Sequence, residues 1–184
     1  MKKLSSQNAR VRFLTQAAAI AALYVVLTFL AYMLGLDKGA IQLRFSEALC
    51  VLACLTPAAV PGLAIGCFLA NLFTSAHILD VIFGSLATLI GAFGAYAMRP
   101  LAFKKYLSFL PTLPTVLANA AIVPLLLLFV YGLEGGYGYF LLTVTIGELL
   151  SATLLGTLLL FALKKRGILF AAQANDLDRK EEKR

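Results

Sequence analysis

Four stretches of the chain are apolar on every helical face rather than along one stripe: residues 11–34, 80–98, 111–132 and 139–164. About 20 apolar residues in a helix match the ~30 Å hydrocarbon core of a bilayer, so each stretch predicts a membrane-crossing helix. Two shorter runs, 46–55 and 61–74, flank the stretch Thr56-Pro57-Ala58-Ala59-Val60-Pro61-Gly62. Its prolines are placed to end or begin helices rather than to sit inside them. The pattern predicts two short or tilted helices there. A re-entrant hairpin is the alternative, since irregular backbone at membrane depth is tolerated only against protein or a cavity. The expected fold class is an all-α integral membrane protein, a six-transmembrane-helix bundle. No repeat, linker or charge block divides it, so 1–184 reads as one domain with 165–184 as a charged tail.

Composition agrees with that class: 61% of residues are hydrophobic and 14% charged, with a mean hydropathy of +0.89. Charge placement then predicts orientation, because Lys and Arg concentrate in cytoplasmic segments near the ends of spans. Lys2, Lys3, Arg10 and Arg12 precede the first run; Arg99, Lys104 and Lys105 follow the fourth; Lys164, Lys165, Arg166, Arg179, Lys180, Lys183 and Arg184 follow the last. Only Lys38 and Arg44 fall in segments placed outside, so both termini and the 99–110 loop are expected in the cytoplasm. The net charge of +7 needs no nucleic acid, since anionic headgroups meet these residues at the inner membrane face. The remaining segments carry Asp37, Glu47, Asp80, Glu134 and Glu148, a mildly acidic outer half that favours a cationic solute. The basic start of the chain runs into its apolar stretch without a small-residue cleavage site, and reads as an uncleaved first helix.

Polar residues inside the apolar runs are the candidate site, since ionisable groups at membrane depth are costly and mark ligand sites or pathways. Arg44 and Glu47 stand at i and i+3 at the mouth of a short helix, where pairing would offset part of each other's desolvation. Gln42 precedes them. Asn71 and Asp80 lie on either side of the Thr74–His77 turn, and Asp80 also suits a helix-capping role. Asn119 lies within the fifth run and Glu148 in the interior of the last. Together these seven supply convergent polar groups in an apolar bundle, and Phe45, Phe73, Phe83, Tyr137 and Tyr139 are near enough in sequence to stack a planar ring. Cys50, Cys54, Cys67 and the lone His77 lack zinc-ligand spacing and read as packing residues, so no metal or cofactor is expected. No GxxxxGK[ST], GxSxG or HExxH occurs, which leaves no motif for an enzyme and points to a gradient or a partner as the source of energy. Ala17/Ala21 and Ala18/Ala22 form small-xxx-small pairs that let another helix approach closely, as Gly62/Gly66 do on the third helix.

The runs Gln42-Leu-Arg-Phe-Ser-Glu-Ala-Leu, Thr56-Pro-Ala-Ala-Val-Pro-Gly through Asn71, Asp80-Val-Ile-Phe-Gly-Ser-Leu-Ala-Thr88 and Gly147-Glu148 resemble the QueT family, from the first helix to Lys165. His77 and its neighbours depart from the glycine-rich turn expected there. The resemblance implies an S-component of an energy-coupling factor (ECF) transporter in a prokaryotic plasma membrane: a multi-pass bundle with both termini inside. It would capture queuine or a related 7-deazaguanine at its outer face and deliver it by toppling. It further implies a coupling membrane subunit and two ATP-binding-cassette ATPases as partners, docked through Ala17, Ala18, Ala21 and Ala22. One acid would then accept from the guanine-like edge and another from the ammonium, with Asn71, Asn119 or Gln42 addressing the carbonyl, Arg44 orienting Glu47, and Glu47 the leading ligand contact. An S-component for a different vitamin-like solute, a solitary proton-coupled carrier and a membrane enzyme using paired carboxylates are the other readings.

Overall fold

The computed structural model describes the backbone of residues 2–36, 42–74, 77–102, 104 and 107–165, with side chains from residue 7 onward. Asp37, Lys38, Lys105 and all the charges of the tail from Arg166 lie outside the described residues, as do the side chains of Lys2 and Lys3.

The first helix, Lys2–Met33, begins well before the apolar run because nothing in the preceding basic segment breaks it. It stops at Gly35, whose φ of +69° permits the left-handed turn. Leu36 N–H donates to Ala31 O at 3.0 Å and Gly35 N–H to Tyr32 O at 3.0 Å, satisfying carbonyls that a helix end leaves open.

The expected second helix forms over Phe45–Cys54, but as a 3-10 helix, a form seldom sustained beyond three or four residues. At about 2.0 Å per residue its ten residues reach about 20 Å, where an α-helix would reach about 15 Å. The third helix, Ala59–Thr74, rises about 24 Å. The turn between them is tied to the first helix by Thr56 Oγ1, which donates to Gln16 Oε1 at 3.0 Å. Neither short helix has the length of the four long apolar ones, Gln7–Met33, Ile78–Ala97, Leu110–Phe129 and Tyr137–Lys165.

In the fourth helix, Ile78–Ala97, the cap position is held by His77 in extended conformation, and Asp80 sits inside the first turn rather than capping it. The fifth consists of a 3-10 turn, Leu110–Thr112, running into Leu113–Phe129. Its Pro124 has no N–H to give, so the Ala120 carbonyl lacks its intrahelical partner. The sixth changes winding twice: α over Tyr137–Glu148, π over Leu149–Leu155 and α again over Gly156–Lys165. Among the described residues there is no strand.

Close helix pairs form where one side lacks a Cβ. A methyl on Gly62 would lie 2.7 Å from Ala17 O, and one on Gly66 2.9 Å from Ala21 O, so the first and third helices touch backbone to backbone. Ala17 and Ala21 are therefore buried inside the bundle by this chain's own third helix, whereas Ala18 and Ala22 remain on the exposed face. Gly91 and Gly94 similarly admit Thr115 and Pro114 of the fifth helix. The outer surface is apolar: Val26, Leu117 and Phe129 are 61%, 68% and 78% exposed, as lipid-facing side chains are.

Candidate functional site

A polar layer crosses the middle of the bundle, with one residue from each of the six helices: Tyr24, Glu47, Cys67, Thr88, Asn119 and Glu148. Thr88 is close to the midpoint of the fourth helix, and Asn119 close to that of Leu110–Phe129. Glu47, Thr88, Asn119 and Cys67 have no exposed surface, Tyr24 is 1% exposed and Glu148 5%.

Glu47 belongs to this layer through Tyr24 and Thr88, and Arg44 stands at the start of the same 3-10 helix. The carbonyl of Gln42 occupies the space a side chain at Gly147 would need, and Arg44 N–H donates to Ser151 Oγ at 3.1 Å. Segment 42–44 is thereby laid across the sixth helix, and Leu43 N–H donates to Leu36 O at 2.8 Å just beyond the end of the first helix.

The two charges do not form the expected ion pair. Glu47 Oε1 accepts from Tyr24 Oη at 2.5 Å and from Thr88 Oγ1 at 3.4 Å, while Cys50 Sγ approaches Oε2 at 3.3 Å. The Cys50 contact follows from winding, since residues i and i+3 eclipse at three residues per turn. The Arg44 guanidinium instead lies in the combined field of Asp80, Glu47 and Glu148, one cation facing three acids.

Asp80 lies toward the Arg44 side of the layer, 5% exposed, and accepts from Tyr131 Oη at 2.9 Å. The His77 ring stacks edge-on against Tyr131 with 5.0 Å between centroids. Asn71 donates to Cys67 Sγ at 3.4 Å and lies against Gly84, where a methyl would come 2.8 Å from its Nδ2. Gln42 is half-buried.

Asn119 and Glu148 differ from all of these. They face each other across the layer closely enough to interact, yet Asn119 Nδ2, Asn119 Oδ1 and Glu148 Oε2 are buried without a partner in hydrogen-bonding geometry. In a low-dielectric interior a buried polar group left unpaired costs about 1–3 kcal/mol. One turn farther toward Arg99, Thr115 Oγ1 is also unpaired and faces Gly91.

The structure thus gathers Arg44, Glu47, Asn119 and Glu148 closely and sets Asn71 and Asp80 beside them. Four of the five expected aromatic stackers are elsewhere, since Phe73, Phe83, Tyr137 and Tyr139 are 69%, 42%, 40% and 51% exposed on the outer surface, whereas Phe45 is half-buried next to Arg44. Tyr24, Thr88 and Ser151, which bind the layer together, were not legible as site residues, because single hydroxyls in apolar helices are ordinary. Among the described residues no group of three or more His, Cys, Asp or Glu side chains is placed to hold a metal ion.

No solved structure matches this chain. Residues 14–165 match the family model described as QueT transporter. A relative from Lactococcus lactis subsp. cremoris (strain MG1363), named queuosine precursor transporter QueT, is 40% identical over 73 residues, which are 40% of this chain and 43% of the relative. The alignment spans less than half of the relative's length. With the family match extending from the first apolar helix to the end of the sixth, this all-helical membrane chain belongs to the QueT transporter family, a family of transporters rather than enzymes.

Proposed function

We propose that this protein is the substrate-capturing S-component of an ECF-type importer for a queuosine precursor, queuine or another 7-deazaguanine. It crosses a prokaryotic plasma membrane six times with both termini in the cytoplasm. The observation that carries this reading is the mid-membrane layer in which donors and acceptors of Asn119 and Glu148 stand unpaired beside Arg44. A lone structural polar network satisfies its members; a binding site leaves some for its ligand. Three acids against one arginine also favour a solute with an ammonium group, and a 7-deazaguanine presents adjacent ring N–H and amino donors that a carboxylate accepts in parallel.

The orientation rests on the basic residues. Arg10, Arg12, Arg99, Lys104, Lys164 and Lys165 all lie near helix ends that face the cytoplasm in a six-span path, as the positive-inside tendency requires. A coupling membrane subunit and two ATP-binding-cassette ATPases supply the energy, and the solute is delivered when the docked S-component topples. Exposed Ala18 and Ala22 are the docking alanines still available on the first helix.

Purified protein should carry a 7-deazaguanine detectable by mass spectrometry. Liposomes holding the protein with its coupling subunits should accumulate queuine only when ATP is supplied inside the compartment that holds the ATPases. Uptake by the single chain under a proton gradient, without ATP, would establish a solitary carrier instead, and a different copurified solute would reassign the substrate.

A further inference from the structure

The six helices bring two buried carboxylates to one level, and only one of them has open bonding capacity. Glu47 is enclosed: Tyr24 and Thr88 converge on Oε1 and Cys50 covers Oε2, which ties the first helix, the 3-10 helix and the fourth helix to a single carboxylate. Glu148 has an unpaired Oε2 and faces Asn119, whose amide has both ends unpaired at zero exposure. The π-wound segment begins at the residue after Glu148, a departure from α winding that recurs at functional sites.

We infer that Asn119 and Glu148 form a single reading edge for the solute and that Glu47, the leading ligand contact by sequence, is a positioning residue that holds this edge in place. The inference deepens the function proposed above and rests on it for the identity of the probe. An Asn amide offers two donors and one acceptor, and a carboxylate offers acceptors only. Their complement is a planar heterocycle with adjacent N–H donors next to a carbonyl. The carbonyl accepts from Asn119 Nδ2, and the ring N–H and exocyclic amine donate to Glu148 and Asn119 Oδ1. Arg44 lies in the field of both acids.

The same Glu→Gln exchange should therefore act very unequally at the two positions. At Glu148 it replaces an acceptor by an N–H₂ facing ligand donors, and the affinity for queuine should fall by about 10- to 100-fold. At Glu47 it keeps an oxygen for Tyr24 and Thr88, so Glu47→Gln should recover most of the binding that Glu47→Ala loses. Wild-type protein should prefer 7-deazaguanine over 7-deazahypoxanthine, which lacks the amino group, and Glu148→Gln should shrink that preference.

A ligand-free readout separates this inference from the proposed substrate. Apolar replacement of an unpaired buried group relieves it, so Asn119→Leu should raise Tm in detergent micelles by about 2–4 °C, whereas Glu47→Leu, which strands Tyr24 and Thr88, should lower it. Loss of queuine affinity in Glu47→Gln as large as in Glu148→Gln, or a fall in Tm for Asn119→Leu, overturns the inference. If wild-type protein binds no queuine, the proposed substrate fails, and the direction of the Asn119→Leu shift alone decides this question.

Discussion

Gly147→Ala tests how segment 42–44 is held. The new methyl would occupy the position of the Gln42 carbonyl oxygen, and because the obstacle is backbone, no rotamer change relieves it. Either the sixth helix moves out or the segment lifts. Lifting breaks the 3.1 Å bond from Arg44 N–H to Ser151 Oγ, worth about 1 kcal/mol, and leaves a buried donor unpaired. Overpacking in a filled core adds about 1–3 kcal/mol. The expected total of roughly 2–4 kcal/mol corresponds to a fall in Tm of about 5–15 °C for a chain of this size. Thermal unfolding in detergent micelles measures it, with Ser151→Ala as the control that removes the hydrogen bond alone and should show less than half the effect. A Gly147→Ala variant with the Tm of the wild type would refute the placement of Gln42 over the sixth helix.

Three further outcomes follow from other contacts. Tyr24→Phe removes a short bond to a buried carboxylate and should cost about 1.5–3 kcal/mol; a double-mutant cycle with Glu47→Gln should be non-additive by more than 0.5 kcal/mol, and strict additivity would show that the two side chains do not interact. Gly66→Ala sets a methyl 2.7 Å from Tyr24 Cβ and 2.9 Å from Ala21 O, so it should separate the first and third helices and lower Tm by several degrees, which a scan of the purified variant would contradict if no shift appeared. Tyr131→Phe deletes the donor to Asp80 Oδ2 and should cost about 1 kcal/mol while leaving Asn119→Leu and Glu148→Gln effects unchanged, because it lies outside the central layer; coupling to Glu148→Gln in a binding cycle would place it inside.

The helices were legible because a bilayer demands long runs without charge, and such runs survive any rearrangement of neighbours. Each long expected helix is found, with ends displaced by a few residues except at the start of the first, where the basic segment continues the helix to Lys2. What could not be read was winding. Nothing in Phe45–Cys54 announces a 3-10 helix, and the winding sets Cys50 against Glu47 in the central layer. As a group the candidate residues stand out because each is polar where polarity is expensive, but their pairing depends on rotation about helix axes. Glu47 and Arg44 at i and i+3 share a face in any helix, yet Glu47 Oε1 turns to Tyr24, 23 positions away. The alanines of the first helix show the same limit: the four-residue spacing marks a close contact, and only the position of Gly62 and Gly66 reveals that one of the two pairs is consumed inside the chain.

The 3-10 helix has a further consequence in the shape of the walls. Five helices rise past the Arg44 level, and the second begins there, about 20 Å tall in a layer of about 30 Å. The half carrying Arg99 is enclosed by six helices and the half carrying Asp80 by five helices and the non-helical segment 42–44. In the half carrying Arg99 the first and third helices touch backbone to backbone, so any opening there would have to separate them. The height of one element thus makes the two halves of the bundle unequal before any side chain is considered.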